Sequence, residues 1–225
     1  MHNKLNTNIW DDDKLKPIVR DTLLKLAARI LSDIDIPRSL VKDIIFTGSL
    51  AGYNYTNHSD LDLHIIIDFD GIDIEDKYVQ QFWDNIKTIW NDRHEVLVAG
   101  FEVEIYFQDV DADLIASAVY SVISDKWLRR PMRFAQAAGI SDYKYKRYKE
   151  LIGYIENAEP TLDNLILIDR LKDKIHNYRL TGLARAGEGS IENLTYKKLR
   201  SDGLIDKLYE IGDTLYDQYY SVDRK

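Results

Sequence analysis

Residues 60–69 read Asp-Leu-Asp-Leu-His-Ile-Ile-Ile-Asp-Phe. The isoleucine-rich part has the composition of a central β-strand, and the alternation at its start sorts side chains to two faces. Asp60, Asp62 and His64 fall on one face; Leu61, Leu63 and Ile65 fall on the other. Two carboxylates spaced about 7 Å apart along one strand repel each other, and burial sharpens the conflict unless a cation lies between them. The strand is thus buried-looking on one face and opens with two acids on the other, an arrangement that flanking strands and helices must complete.

The flanking segments fit that arrangement. The apolar periodicity of Leu15, Ile18, Val19, Leu23, Leu26, Ile30 and Leu31 predicts a helix over 13–33, with Asp11–Asp13 at its positive end and Pro17 in its first turn. Val41–Phe46 reads as a strand ending in the turn Thr47-Gly48-Ser49, and residues 50–59 as a polar loop or short helix. A helix is expected over 73–91. Strands are expected at Glu95–Val98 and Phe101–Phe107, a further one over 118–123, and a turn at Ser124–Lys126. From about residue 131 the pattern becomes helical throughout, with helices near 143–158, 161–180, 190–201 and 204–220. Breaks are expected at Pro160, at Gly182–Gly189 and near Gly203. The chain therefore reads as α+β: a mixed α/β half first, followed by an all-helical half.

The chemistry concentrates around the acidic strand. Magnesium takes oxygen ligands and is usually held by one or two carboxylates plus substrate phosphates, which suits Asp60 and Asp62. A glycine at 48 allows close backbone approach to a phosphate, and turn amides with the Ser49 hydroxyl can hold its oxygens. The strand FEVEIYF adds Glu102 and Glu104, again on one face.

These residues resemble the DNA polymerase β-like nucleotidyltransferase superfamily. The shared pattern is Ile44-Ile45-Phe46-Thr47-Gly48-Ser49, then Asp60-Leu61-Asp62-Leu63, then Val103-Glu104-Ile105. It spans roughly residues 15–110. The resemblance implies a nucleotidyltransferase catalytic domain over 1–130, built as a mixed β-sheet with helices on one face, and an all-helical accessory domain over 131–225. It implies transfer of a nucleoside monophosphate from an NTP to a hydroxyl or phosphate acceptor, with release of pyrophosphate. Asp60, Asp62 and Glu104 would be the catalytic carboxylates and ligands of two Mg2+ (or Mn2+) ions; Gly48 and Ser49 would bind the nucleotide. The third acid departs from the pattern, being Glu where Asp is commoner, and Glu102 competes with Glu104 for the role. The segment GLARAGEGSIENLTYKKLRSDGLIDKLY resembles the C-terminal part of phage-encoded predicted nucleotidyltransferases, which implies a viral source.

Other features are weaker. His64 shares the carboxylate face and reads first as part of a hydrogen-bond network; His58 reads as loop surface. Between 126 and 149, Lys126, Arg129, Arg130, Arg133, Lys144, Lys146, Arg147 and Lys149 face a single acid, Asp142, with Tyr143, Tyr145 and Tyr148 interleaved. That pattern suits RNA or a triphosphate, and equally a solvated helix whose tyrosines turn inward. Arg179, Arg185, Lys197, Lys198 and Arg200 form a second, weaker cluster. RLKDKIH, Arg170 to His176, resembles the Arg…His motif of helical ribonucleases. A net charge of −8 argues against a uniformly basic nucleic-acid binder. With no cysteine, thiolate metal sites are excluded. No apolar stretch reaches membrane-spanning length, and the first residues lack the apolar core of a secretion signal, so a cytoplasmic location (host cytoplasm if viral) is expected. An enzyme is the leading expectation. A non-catalytic nucleotide-binding or toxin–antitoxin-type module of the same fold is the alternative.

Overall fold

Pro17, not the acids before it, starts the first helix. In the computed structural model, which describes residues 2–57, 59–72, 75–114, 116–132 and 139–222 (backbone alone at 76 and 77), helix α1 spans Pro17–Asp33 with proline in its first turn. The expected helical start at 13 is corrected. Trp10–Asp11 (β1) and Lys14–Leu15 (β2) pair instead as a small hairpin, with Asp12 at φ 51° in its loop. The cause is tertiary. Ile9 and Trp10 are buried, the Trp10 indole stacks on Phe46 and Trp127, and its Nε1 donates to the Leu50 carbonyl at 2.8 Å. Burying an indole that also satisfies its N–H outweighs the marginal gain of one more helical turn.

Strand β3 covers Val41–Thr47 and β4 covers Leu61–Ile67. Helix α2 (Asp76–Arg93) then crosses to β5 (Leu97–Val98) and β6 (Phe101–Asp109), followed by β7 (Val119–Ser121) and β8 (Lys126–Arg129). Among the described residues the main sheet has the order β5-β6-β4-β3-β7-β8. Only β4 and β6 run parallel; the other neighbours are antiparallel. A parallel pair needs a long crossover, and α2 supplies it. One sheet face carries Phe46, Leu61, Leu63, Ile65, Val103, Ile105 and Phe107, which pack against Leu23, Ala27 and Ile30 of α1 and Trp83 of α2. The opposite face is mostly polar, apart from a small cluster of Ile45, Ile66 and Val119 under Leu114 and Ala116.

Beyond the short β5, the outer edge of β6 is closed by a side chain. Asn91 of α2 donates to the Ile105 carbonyl at 3.1 Å and accepts its N–H at 2.9 Å. The amide thus mimics a neighbouring strand at a point where two backbone groups would otherwise lack partners. Strand β8 has no counterpart in the pattern reading. Only Trp127 of its four residues is pinned inward, by ring contacts to Trp10 and Tyr120 and an Nε1 bond to Asp13.

The chain divides into two compact units, Met1–Arg133 and Phe134–Lys225. The second contains α3 (Asp142–Ile155), α4 (Leu162–Ala186), α5 (Ile191–Ser201) and α6 (Leu204–Tyr220) around a core that includes Tyr148, Ile152, Ile168, Leu171, Leu199, Leu208 and Leu215. Ser141, Thr161 and Ser190 cap the starts of α3, α4 and α5 by accepting a backbone N–H three residues on. The expected break at Gly182 is corrected, for α4 continues through it to Ala186. A Cβ there would lie 2.5 Å from the Glu192 Cβ and 2.7 Å from Ser190 Oγ, so this glycine serves the close approach of α5. No helix among the described residues is long and apolar enough to cross a membrane.

Candidate active site

Register decides which acids meet. Thr47 pairs with Asp62, and Asp62 pairs with Glu104 across the parallel β4–β6 ladder. Paired residues point to the same face on strands about 4.8 Å apart. The end of β3, the start of β4 and the middle of β6 therefore present Asp62 and Glu104 side by side on the polar face. Both are half-buried. Glu102 shares that face one step outward, opposite Leu97, and is exposed. Asp60 lies one residue ahead of β4, half-buried.

Gly48 follows β3 directly, at φ 75°. A Cβ built there would fall 1.7 Å from Asp62 Oδ2 and 2.7 Å from its Cγ. The glycine thus makes room for the Asp62 carboxylate, a role beyond the phosphate approach expected of it. Ser49 does not open a helix; residues 48–53 are turns. Its Oγ lies 2.7 Å from Ser59 Oγ, which also accepts the Thr56 N–H at 2.9 Å, so Ser49 ties both ends of the intervening loop together. Leu50 and Ala51 are buried beneath that turn, and Trp10 holds the Leu50 carbonyl.

Pattern reading missed what stands behind the acids. Along β6, Glu104, Tyr106 and Gln108 share a face, and the Tyr106 hydroxyl donates to Glu104 Oε2 at 2.5 Å. The Tyr106 ring stacks on His64 at 4.7 Å and 18°. Lys87 Nζ of α2 lies 5.2 Å from the Tyr106 ring centroid. His64 Nδ1 bonds Gln108 Oε1 at 3.1 Å, so the neutral ring donates from Nδ1 and keeps Nε2 as an acceptor. The signal was present in the alternation of FEVEIYFQD, which puts Tyr106 on the same face as Glu102 and Glu104.

Burial pushes the His64 imidazolium down to about 4; the Lys87 ammonium adds to this, and the Gln108 bond opposes it. His64 is therefore neutral at pH 7. Its folded pKa lies below the ordinary 6.5, so unfolding takes up a proton between those two values. The stability it contributes is complete above pH 6.5 and is lost as pH falls through about 4. Urea unfolding of the wild type and His64→Gln across that range checks this. The wild type should lose stability toward acid faster than the variant, and parallel curves would remove the assignment.

Among the described residues no group of three or more His, Asp or Glu converges to hold a metal ion. The donor set at hand is the Asp62–Glu104 pair. Two carboxylates fit a hard cation that arrives with its phosphates and waters, the usual way Mg2+ is bound, and do not fit an all-protein cage. A two-ion arrangement requires Asp60 to turn toward the same point.

The basic region divides between the units. Lys126, Arg129 and Arg130 belong to the first; Arg129 donates to the Leu114 and Ala116 carbonyls, and Arg130 pairs with Asp13. Lys144, Lys146, Arg147 and Lys149 lie on α3, where Tyr148 is buried and Tyr143 is exposed. Arg133 and His58 lie outside the described residues. Arg170 and His176, six positions apart on α4, point about 120° away from each other around the helix, so they do not form a pair.

No protein-family model matches the chain, and no curated protein matches it. Among solved structures it is similar to the STING-associated CdnE c-di-GMP synthase from Capnocytophaga granulosa, at 11% identity over 92% of this chain and 84% of that one, with a TM-score of 0.24. An overlap that low does not establish a shared fold.

Proposed function

We propose that the chain is a metal-dependent nucleotidyltransferase that moves a nucleoside monophosphate from an NTP to an acceptor hydroxyl or phosphate. The observation that carries this reading is the direct pairing of Asp62 with Glu104, beside a glycine turn that exists to admit the Asp62 carboxylate. Like charges on paired strands destabilise a sheet, and a cationic ligand shared between Asp62 and Glu104 would relieve that repulsion.

Mg2+ or Mn2+ bound with the nucleotide would neutralise phosphate charge and lower the acceptor's proton affinity. Asp62 and Glu104 would hold it, with Asp60 as the further carboxylate for a second ion. The acceptor oxygen bonds the α-phosphorus while the α–β bridging bond breaks, and its electron pair leaves with pyrophosphate. An acceptor hydroxyl gives up its proton to a base, for which Glu104 is the carboxylate at hand. Turn amides after Gly48, steadied by Ser49 and Ser59, would cradle the phosphates. RNA is the partner class that the exposed lysines, arginine and Tyr143 of α3 would bind.

A thermal-shift panel with each NTP, with and without Mg2+ or Mn2+, tests the reading. Ligand at about a hundredfold excess over Kd should raise the melting temperature by about 5–10 °C, and only with metal present. No shift with any NTP in either metal would overturn it and leave a protein that does not bind nucleotide at this face.

A further inference from the structure

We propose that Tyr106 is a positioning residue for this reaction. Its hydroxyl donates to Glu104 Oε2 and so orients the carboxylate that would hold the nucleotide's divalent cation. The inference rests on the nucleotidyltransferase reading and names a residue that reading does not need.

Glutamate has three rotatable side-chain bonds, and a half-buried one left to itself samples many orientations. Mg2+ demands near-octahedral geometry with single-oxygen ligands, so a wandering carboxylate is a poor ligand. The 2.5 Å bond from Tyr106 removes that freedom at Oε2. The phenol suits the task better than a lysine would. It donates a hydrogen bond while leaving the carboxylate its full negative charge, so it orients Glu104 without competing with the cation.

The phenol is itself held from two sides of the strand. Its ring stacks on His64 of β4, and Lys87 of α2 lies over it. The adjoining peptide at Ile105 is clamped through both N–H and carbonyl by Asn91 of the same helix. Ring and backbone are thus fixed by β4 and α2 together, and the hydroxyl's position follows from theirs. Partners of this kind, one step behind a ligating carboxylate, are typically worth about 10–100-fold in metal affinity.

Tyr106→Phe in the full chain keeps the ring and its stacking and removes only the hydroxyl. Mn2+ is titrated, with free Mn2+ read by electron paramagnetic resonance, in the presence of the NTP giving the largest thermal shift. The expected result is an apparent Mn2+ Kd raised about 10–100-fold, with the melting temperature of the unliganded protein unchanged. Transfer should fall at limiting Mn2+ and recover as Mn2+ is raised. Glu104→Asp withdraws the carboxylate from the phenol and should give a similar rise, and combining the two should add little to either. A purely structural tyrosine would lower the melting temperature and leave the Mn2+ Kd in place, and that result overturns the proposal. Mn2+–NTP binding by the wild type with Tyr106→Phe unchanged overturns this inference alone. A wild type that binds no Mn2+–NTP overturns both it and the reading beneath it.

Discussion

Asp62→Asn should lower nucleotide transfer by at least ~10³-fold, about 4 kcal/mol of transition-state stabilisation, while the unliganded protein melts no lower than the wild type. The two halves of that expectation have one cause. Asn is nearly isosteric with Asp, so the space that Gly48 leaves for the side chain stays filled. What changes is charge. Without a cation, Asp62 opposite Glu104 is a like-charge pair on adjacent strands, worth roughly 0.2–1 kcal/mol against the sheet, and the amide removes it. With nucleotide and metal present, the same charge would hold the cation that draws the phosphates into place for in-line attack. Stability held back at a functional site for the sake of activity is a recurrent trade-off. Single-turnover transfer of label from an α-phosphate-labelled NTP, run beside calorimetry of the unliganded protein, reads both halves. Glu104→Gln should behave alike, and the double variant should lose scarcely more activity than either single one, because the pair acts as a unit. Transfer by Asp62→Asn within tenfold of the wild type would exclude this carboxylate from the chemistry.

The acidic strand was legible because period-two alternation is a local signal, and 60–64 show it cleanly. Alternation alone could not choose between Glu102 and Glu104, since both lie on the same face of β6. That choice depends on the β4–β6 register, which the crossover through α2 sets, and the register puts Glu104 opposite Asp62. Tyr106 and Lys87 were illegible for a related reason. Their contacts join β4, β6 and α2, and no short window of sequence contains them. The hairpin at 10–15 went the same way. Periodicity in 13–33 favours helix at every residue, but Trp10 finds its partners at Leu50, Phe46 and Trp127, and those long-range contacts decide the local structure. Gly182 and Gly48 show two uses of one residue type. The first lies inside a helix, where a neighbour's approach requires it; the second is required by both its backbone angle and the carboxylate beside it.

Gly48→Ala should destabilise the first unit by about 2–4 kcal/mol and reduce transfer by about 100-fold or more. Two costs combine. At φ 75° an L side chain is disfavoured by about 1 kcal/mol. The added methyl would also overlap the Asp62 carboxylate, since 1.7 Å to Oδ2 is far inside any van der Waals contact. Something must move. The turn is tied down by the Trp10 bond to the Leu50 carbonyl, by the Ser49–Ser59 hydroxyl contact and by the burial of Leu50 and Ala51. With the turn held in this way, the Asp62 carboxylate is expected to leave its place beside Glu104, and activity to fall further than stability explains. A double-mutant cycle isolates that step. Asp62→Ala clears the space the new methyl needs, so Gly48→Ala made on the Asp62→Ala background should cost only the backbone term. The coupling between the two sites would then be about 1–3 kcal/mol, favouring the double variant over the sum of the singles. Urea denaturation of the four proteins measures it. Additive costs would mean that the new methyl and the Asp62 carboxylate do not collide, and Gly48 would then be a residue of the turn's backbone alone.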